Sequence, residues 1–229
     1  MIARRRGAVA CWAFAAVLPG ACAGPALTVP ELKALCDSLR PPDAAVRLEA
    51  RVSLATNLGS RFAGEFLGLA IARTSPSCAV RLQLFPELGG KVLDVVATPA
   101  RRRGVMPPVS AEYDSAAASG DRLLEMFAVS LLLAHAPLQP EHVREAHWET
   151  PQRARLQLIP RFGADRCVLW IDRSRGEREF AAVARGAGWS MRVQPDGSVT
   201  IQAKGFRLSA AISAREALSS VADSTFELD

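Results

Sequence analysis

Between two stretches of β-patterned sequence lies one helix-patterned segment, Ala116 to Ala134, in which Leu123, Leu124, Phe127, Leu131 and Leu132 form a broad apolar face. Asp121 and Glu125 supply polarity early, and the later part is almost wholly apolar. A helix that apolar must be covered, either by the concave side of a sheet or by a bound apolar molecule. The segment therefore predicts a sheet that curves around it.

The flanking sequence supplies the strands. From Val46 the period is two: Val46, Leu48, Ala50, Val52 and Leu54 alternate with Arg47, Glu49, Arg51 and Ser53, the pattern of a strand with one buried face. A second strand is expected from Arg61 to Arg73, where Gly64 and Gly68 on one face indicate bending or close packing. Residues 79 to 85 and 91 to 98 read as two more around Pro86 to Gly90. Residues 153 to 229 return to β character, and Pro195-Asp196-Gly197 between Trp189 to Val193 and Val199 to Ala203 is the clearest hairpin. Upstream, Glu31 to Leu39 has helical spacing and ends at Pro41-Pro42, after a linker from Gly24 to Pro30. The expected fold is α+β: a curved antiparallel sheet, an incomplete β-barrel, closed by one long apolar helix and a short N-terminal helix. Residues 45–229 would form one half-barrel domain, preceded by a linker and short helix over 24–44.

Arg81-Leu82-Gln83-Leu84-Phe85-Pro86, followed by Gly89, is echoed by Arg155-Leu156-Gln157-Leu158-Ile159-Pro160, followed by Gly163. The spacing is identical, so two similar hairpin units are expected in one sheet, on either side of the apolar helix.

The N-terminus has the layout of an export signal: Arg4, Arg5 and Arg6, then apolar Ala8 to Leu18, then small and helix-breaking residues from Pro19 to Gly24. Two cleavage readings compete within residues 1–23. Ala21-Cys22-Ala23 fits ordinary signal peptidase; Leu18-Pro19-Gly20-Ala21-Cys22 is similar to a lipobox, with Pro19 where a branched aliphatic is usual, and would make Cys22 a lipid anchor. No later apolar run approaches the ~18 residues of a transmembrane helix. Removing three signal arginines from 28 basic residues leaves 25 against 23 acidic, or +2, which withdraws the main support for nucleic-acid binding.

Catalytic and metal-binding signatures are weak. His142 and His147 are five residues apart, about 500° of helical rotation, so they diverge by ~140° and do not form a zinc pair with His135 nearby. Cys36, Cys78 and Cys167 lack CxxC spacing and allow at most one bridge. No Gly-x-Ser-x-Gly elbow is present, and Gly186-Ala187-Gly188 precedes a strand where a phosphate loop precedes a helix. Arg101 to Arg103 reads as a solvated turn or as a contact for anionic lipid. The residues point to a non-enzymatic chain with no cofactor or metal, in which Phe62, Phe66, Leu82, Leu84, Val92, Phe127 and Leu131 line an apolar cavity or fill a core.

The run from Arg81 to Leu93, a strand ending in Pro86, a turn at Leu88-Gly89 and a returning strand, resembles the LolA/LolB-like lipoprotein carriers and receptors. The order of elements is similar over roughly residues 45 to 210. This resemblance implies an incomplete barrel whose interior accepts acyl chains of lipids or lipoproteins, a periplasmic location, outer-membrane tethering through Cys22 if it is acylated, and a monomer. It also implies that Leu88, at the Leu-Gly turn, contacts the membrane. The histidine-bearing segment after the helix has no counterpart in the pattern.

Overall fold

The structure is a computed structural model that describes residues 24–40, 43–56, 63–75, 77–117 and 119–228. Residues 1–23, with Cys22 and both candidate cleavage sites, and Phe62 lie outside them.

The first helix, α1 (Val29–Ser38), begins two residues before the expected start because Thr28 and Glu31 form a reciprocal cap. The Thr28 backbone N–H donates to the Glu31 carboxylate at 2.8 Å, while the Thr28 hydroxyl accepts from the Glu31 N–H. Pro30 sits in the first turn, where no helical N–H is required. The segment read as a linker is instead paired: Leu27 donates to Ala146 and Trp148 donates to Pro25, each at 3.0 Å.

Among the described residues, fourteen strands form one antiparallel sheet. A first meander runs through β1 (Ala45–Thr56), β2 (Gly64–Arg73), β3 (Ala79–Phe85), β4 (Leu93–Ala97), β5 (Arg102–Met106), β6 (Ala111–Asp114) and β7 (Ser119–Gly120). The second helix, α2 (Arg122–His135), then leads to a second meander: β8 (Val143–Thr150), β9 (Arg153–Leu158), β10 (Arg166–Asp172), β11 (Glu177–Ala184), β12 (Ala187–Val193), β13 (Val199–Ala203) and β14 (Phe206–Ala217). The two meanders join through β1 and β14, paired from Val46 with Ala217 to Thr56 with Phe206. The edges are β7 and β8, and α2 connects them. Pro25 to Leu27 lies against part of the β8 edge, which limits its pairing with other chains.

The expected alternation holds in β1, where Val46, Leu48, Ala50, Val52 and Leu54 are all buried. Gly68 of β2 lies opposite Ala50, and a Cβ on it would stand 2.8 Å from the Val52 Cγ2, so this glycine serves close packing. The echoed segments become the β3–β4 and β9–β10 hairpins, on either side of α2 in sequence.

Two further expectations need correction. Arg102 and Arg103 belong to β5 and are not a turn; Arg101 and Arg103 pair with Asp114 of β6, the former at 2.6 Å. Hydrogen bonding from Arg101 holds the Asp114 carboxyl down at about 2. The apolar helix starts at Arg122, not Ala116, since residues 115–117 turn and Ser119–Gly120 pairs with β6. Gly120 has φ of 119°, and a Cβ there would lie 2.5 Å from the Glu112 carbonyl oxygen, so helix cannot pass through it. Asp121 then caps α2, accepting from Leu123 and Leu124 at 2.8 and 3.2 Å.

The main core lies between α2 and the concave face; Leu124, Phe127, Ala128, Val129 and Leu132 are at most 1 % exposed. On the opposite face of β3 and β4, the C-terminal turn Asp223–Phe226 buries Phe226 against Ala79 and Val96. Arg73 and Arg81 donate to the Val221 and Thr225 carbonyls and hold this strap in place. No helix among the described residues is long and apolar enough to cross a membrane.

Candidate functional site

Two chambers lie end to end between α2 and the concave face. The inner one, about 80 Å³, is lined by Leu82 and Leu84 of β3, Phe127 and Leu131 of α2, and Met191, Ile201 and Leu208 of β12 to β14. Four residues expected at a cavity thus come together. Phe66 and Val92 pack against the core without lining this space. The volume is well below the ~300 Å³ at which small-molecule pockets begin.

Sequence reasoning missed the inner chamber's two polar groups. Ser130 is 1 % exposed and its hydroxyl has no partner. Burial, assisted by the charges of Arg178 and Arg215, pushes the His135 imidazole down to about 4, so it is neutral at pH 7. Both residues line the chamber, and neither brings a charge to it.

The outer chamber, about 430 Å³, lies at the N-terminal end of α2, against the β11–β12 and β13–β14 turns. Its wall is mostly apolar, with Met126, Trp189 and Phe206, but four charged side chains border it: Asp121, Arg122, Glu125 and Lys204. Asp121 is engaged as the α2 cap, and Glu125 is ion-paired with Arg185 at 3.1 Å. Arg122 and Lys204 have no carboxylate partner among the described residues. Trp189 is 6 % exposed, and its indole N–H is buried without a hydrogen-bond partner. The Phe127 and Phe206 rings meet edge to face at 5.4 Å; Phe127 lines the inner chamber and Phe206 the outer.

Antiparallel pairing places the starts of β2, β4, β6, β10, β12 and β14 at one end of the sheet, with the ends of β1, β3, β5, β9, β11 and β13. The outer chamber lies there. So do four of the five exposed large apolar side chains among the described residues, Leu67, Leu88, Val109 and Ile159, and Leu88 in the β3–β4 turn is 90 % exposed.

The remaining sequence candidates do not assemble into a site. Among the described residues no group of histidine, cysteine and carboxylate side chains has metal-binding geometry. The His142 Nδ1 accepts from the Gln139 N–H within its own turn. Cys36, Cys78 and Cys167 are buried free thiols; burial pushes the first two up to about 11 and the third to about 12.

No protein-family model and no curated protein sequence matches the chain. Solved structures do. A domain classed as an outer membrane lipoprotein-sorting protein from Vibrio parahaemolyticus is similar over 86 % of this chain and 94 % of its own, at 10 % identity and a TM-score of 0.54. A LolA superfamily protein from Nitrosomonas europaea is similar over 89 % and 99 %, at 16 % identity and a TM-score of 0.55. A DUF1329 family protein from Desulfovibrio piger is similar over 86 % and 94 %, at 11 % identity and a TM-score of 0.53. The fold is LolA/LolB-like, as the Arg81 to Leu93 motif implied.

Proposed function

We propose that this protein is a non-enzymatic carrier or receptor of the bacterial cell envelope, sheltering an acyl chain of a lipid or lipoprotein between α2 and the concave sheet. In this reading residues 1–23 direct export and acylated Cys22 tethers the chain to the outer membrane from the periplasmic side. The observation that carries the reading is the apolar inner chamber, lined by Leu82, Leu84, Phe127 and Leu131 in a LolA-like fold. Each methylene transferred there contributes about 0.8 kcal/mol, so a single chain is held usefully but reversibly.

Protein purified from membranes and examined by native mass spectrometry is expected to carry bound lipid, and the delipidated chain to take up a fluorescent fatty acid. An apo mass alone, with no uptake, would favour a second reading, an envelope interaction module whose core is filled. The small inner volume, about 80 Å³, is the observation on that side. The intact mass from the same experiment reports whether Cys22 is acylated.

Leu88 is the proposed membrane contact. At 90 % exposure it contributes little to folding, so Leu88→Glu should change stability by less than about 0.5 kcal/mol. The same substitution places a charge where an apolar side chain would enter lipid, and co-sedimentation with vesicles of the delipidated, anchor-free protein should fall severalfold. Unchanged co-sedimentation would remove Leu88 from the membrane interface.

A further inference from the structure

The larger of the two chambers is the one that sequence reasoning did not anticipate, and its polar inventory is one-sided. Both carboxylates on its border are engaged, Asp121 with the first turn of α2 and Glu125 with Arg185. What remains is a pair of cations without a carboxylate partner among the described residues, the Arg122 guanidinium and the Lys204 ammonium.

The chambers are also in line. Along β12 Trp189 borders the outer and Met191 the inner; along β14 Phe206 borders the outer and Leu208, Ala210 and Ile212 the inner. Phe206 to Ile212 spans roughly 20 Å at ~3.4 Å per residue, about a third more than one leaflet of a ~30 Å hydrocarbon core.

We propose that the outer chamber is a headgroup site for a single-chain amphiphile with an anionic head, a carboxylate or a phosphate, whose tail passes the Phe127–Phe206 ring pair into the inner chamber. This rests on the acyl-binding reading and adds to it the ligand's polarity and orientation. The head lies at the end of the sheet that carries Leu88, Leu67 and Val109.

The test compares three probes with the same monounsaturated hydrocarbon tail, oleate, oleoyl lysophosphatidate and neutral oleyl alcohol, titrated below their aggregation limits into the mature chain and its variants. Wild type is expected to bind at least one anion about tenfold more tightly than the alcohol, within the reach of charge-assisted hydrogen bonds, with the ratio shrinking as salt rises. The better anion shows whether the head is a carboxylate or a phosphate. In the Arg122→Glu, Lys204→Glu double variant the ratio should fall to about one; a glutamate at the first position of α2 suits a helix N-terminus, which favours retention of the fold. Equal binding of all three probes by wild type, or an anion preference that survives the double variant, overturns the headgroup site and leaves acyl binding standing. Failure of all three to bind overturns both.

Discussion

Replacing Asp94 by alanine is expected to lower the unfolding free energy by about 3–5 kcal/mol, because it strands charges that this carboxylate holds together. Asp94 is 0 % exposed in β4. It accepts from Arg81 Nε and Nη2 at 3.0 and 2.7 Å, from Lys91 Nζ at 2.5 Å and from Gln83 Nε2 at 3.1 Å. Burial by itself would raise its pKa; hydrogen bonds from Arg81, Lys91 and Gln83, with the Arg81 charge, outweigh that and hold the carboxyl below the usual carboxylate range. The sign of the pH dependence follows. A depressed carboxyl contributes its full stability above the unfolded pKa, ~3.9, and loses that contribution as pH falls through the lower folded value. Urea unfolding at pH 7 should show the full cost in Asp94→Ala, and the gap to wild type should narrow as pH falls below ~4. A cost under about 1 kcal/mol at pH 7 would mean the cluster is a solvated surface pair.

The cluster also bears on function, since Arg81 and Gln83 before the turn that presents Leu88 join Lys91 and Asp94 after it, and Arg81 donates to Thr225 of the C-terminal strap. An exposed apolar residue meets lipid with less entropic loss when its turn stands on a fixed base. The echo between the two meanders stops short of this device. Gln83 faces Asp94 across the β3–β4 pair, whereas Gln157 faces Val168 at the corresponding place between β9 and β10. The repeated segment thus records a shared hairpin, and only the first copy carries the charge cluster.

Local pattern accounted for much of the architecture. The alternation from Val46 to Leu54, the hairpin at Pro195-Asp196-Gly197 and the apolar stripe of α2 each report short-range geometry, and each was legible. The β1–β14 junction was not, because it pairs residues at opposite ends of the chain and no local signal specifies a partner. The strands β5 to β7 are five, four and two residues long and are interrupted by Pro107-Pro108, too short to show a period. The start of α2 was misplaced because alanines 116 to 118 favour helix by propensity, while the backbone at Gly120 excludes it. The inner chamber was half legible for a related reason: Leu82, Leu84, Phe127 and Leu131 lie on strongly periodic elements, whereas Met191, Ile201 and Leu208 face them only once the sheet has curled. The outer chamber draws Arg122, Trp189 and Lys204 from three separate elements, and residue spacing carries no trace of that convergence.

The partition between the chambers is the other place where one substitution should act strongly. Phe127 is 1 % exposed and meets Phe206 edge to face at 5.4 Å, so Phe127→Ala removes a buried ring, its aromatic contact and the wall at that point. Its expected cost is about 3–5 kcal/mol of unfolding free energy, of which ~0.5–1.5 belongs to the ring pair. In a protein whose core has no other task, that loss would be the whole effect. Here the deletion should also join a space of about 80 Å³ to one of about 430 Å³, along the path proposed for an acyl chain. The enlarged chamber should bind oleate more tightly, and a ligand that binds only the folded state at a hundredfold excess over its Kd restores about 2.7 kcal/mol. Thermal unfolding with and without oleate separates the possibilities. The expected result is a large drop in midpoint without ligand and, with oleate, a recovery greater in Phe127→Ala than in wild type. A drop that oleate does not reverse would show that Phe127 belongs to a sealed core, and the apolar face of α2 would then be explained by packing alone.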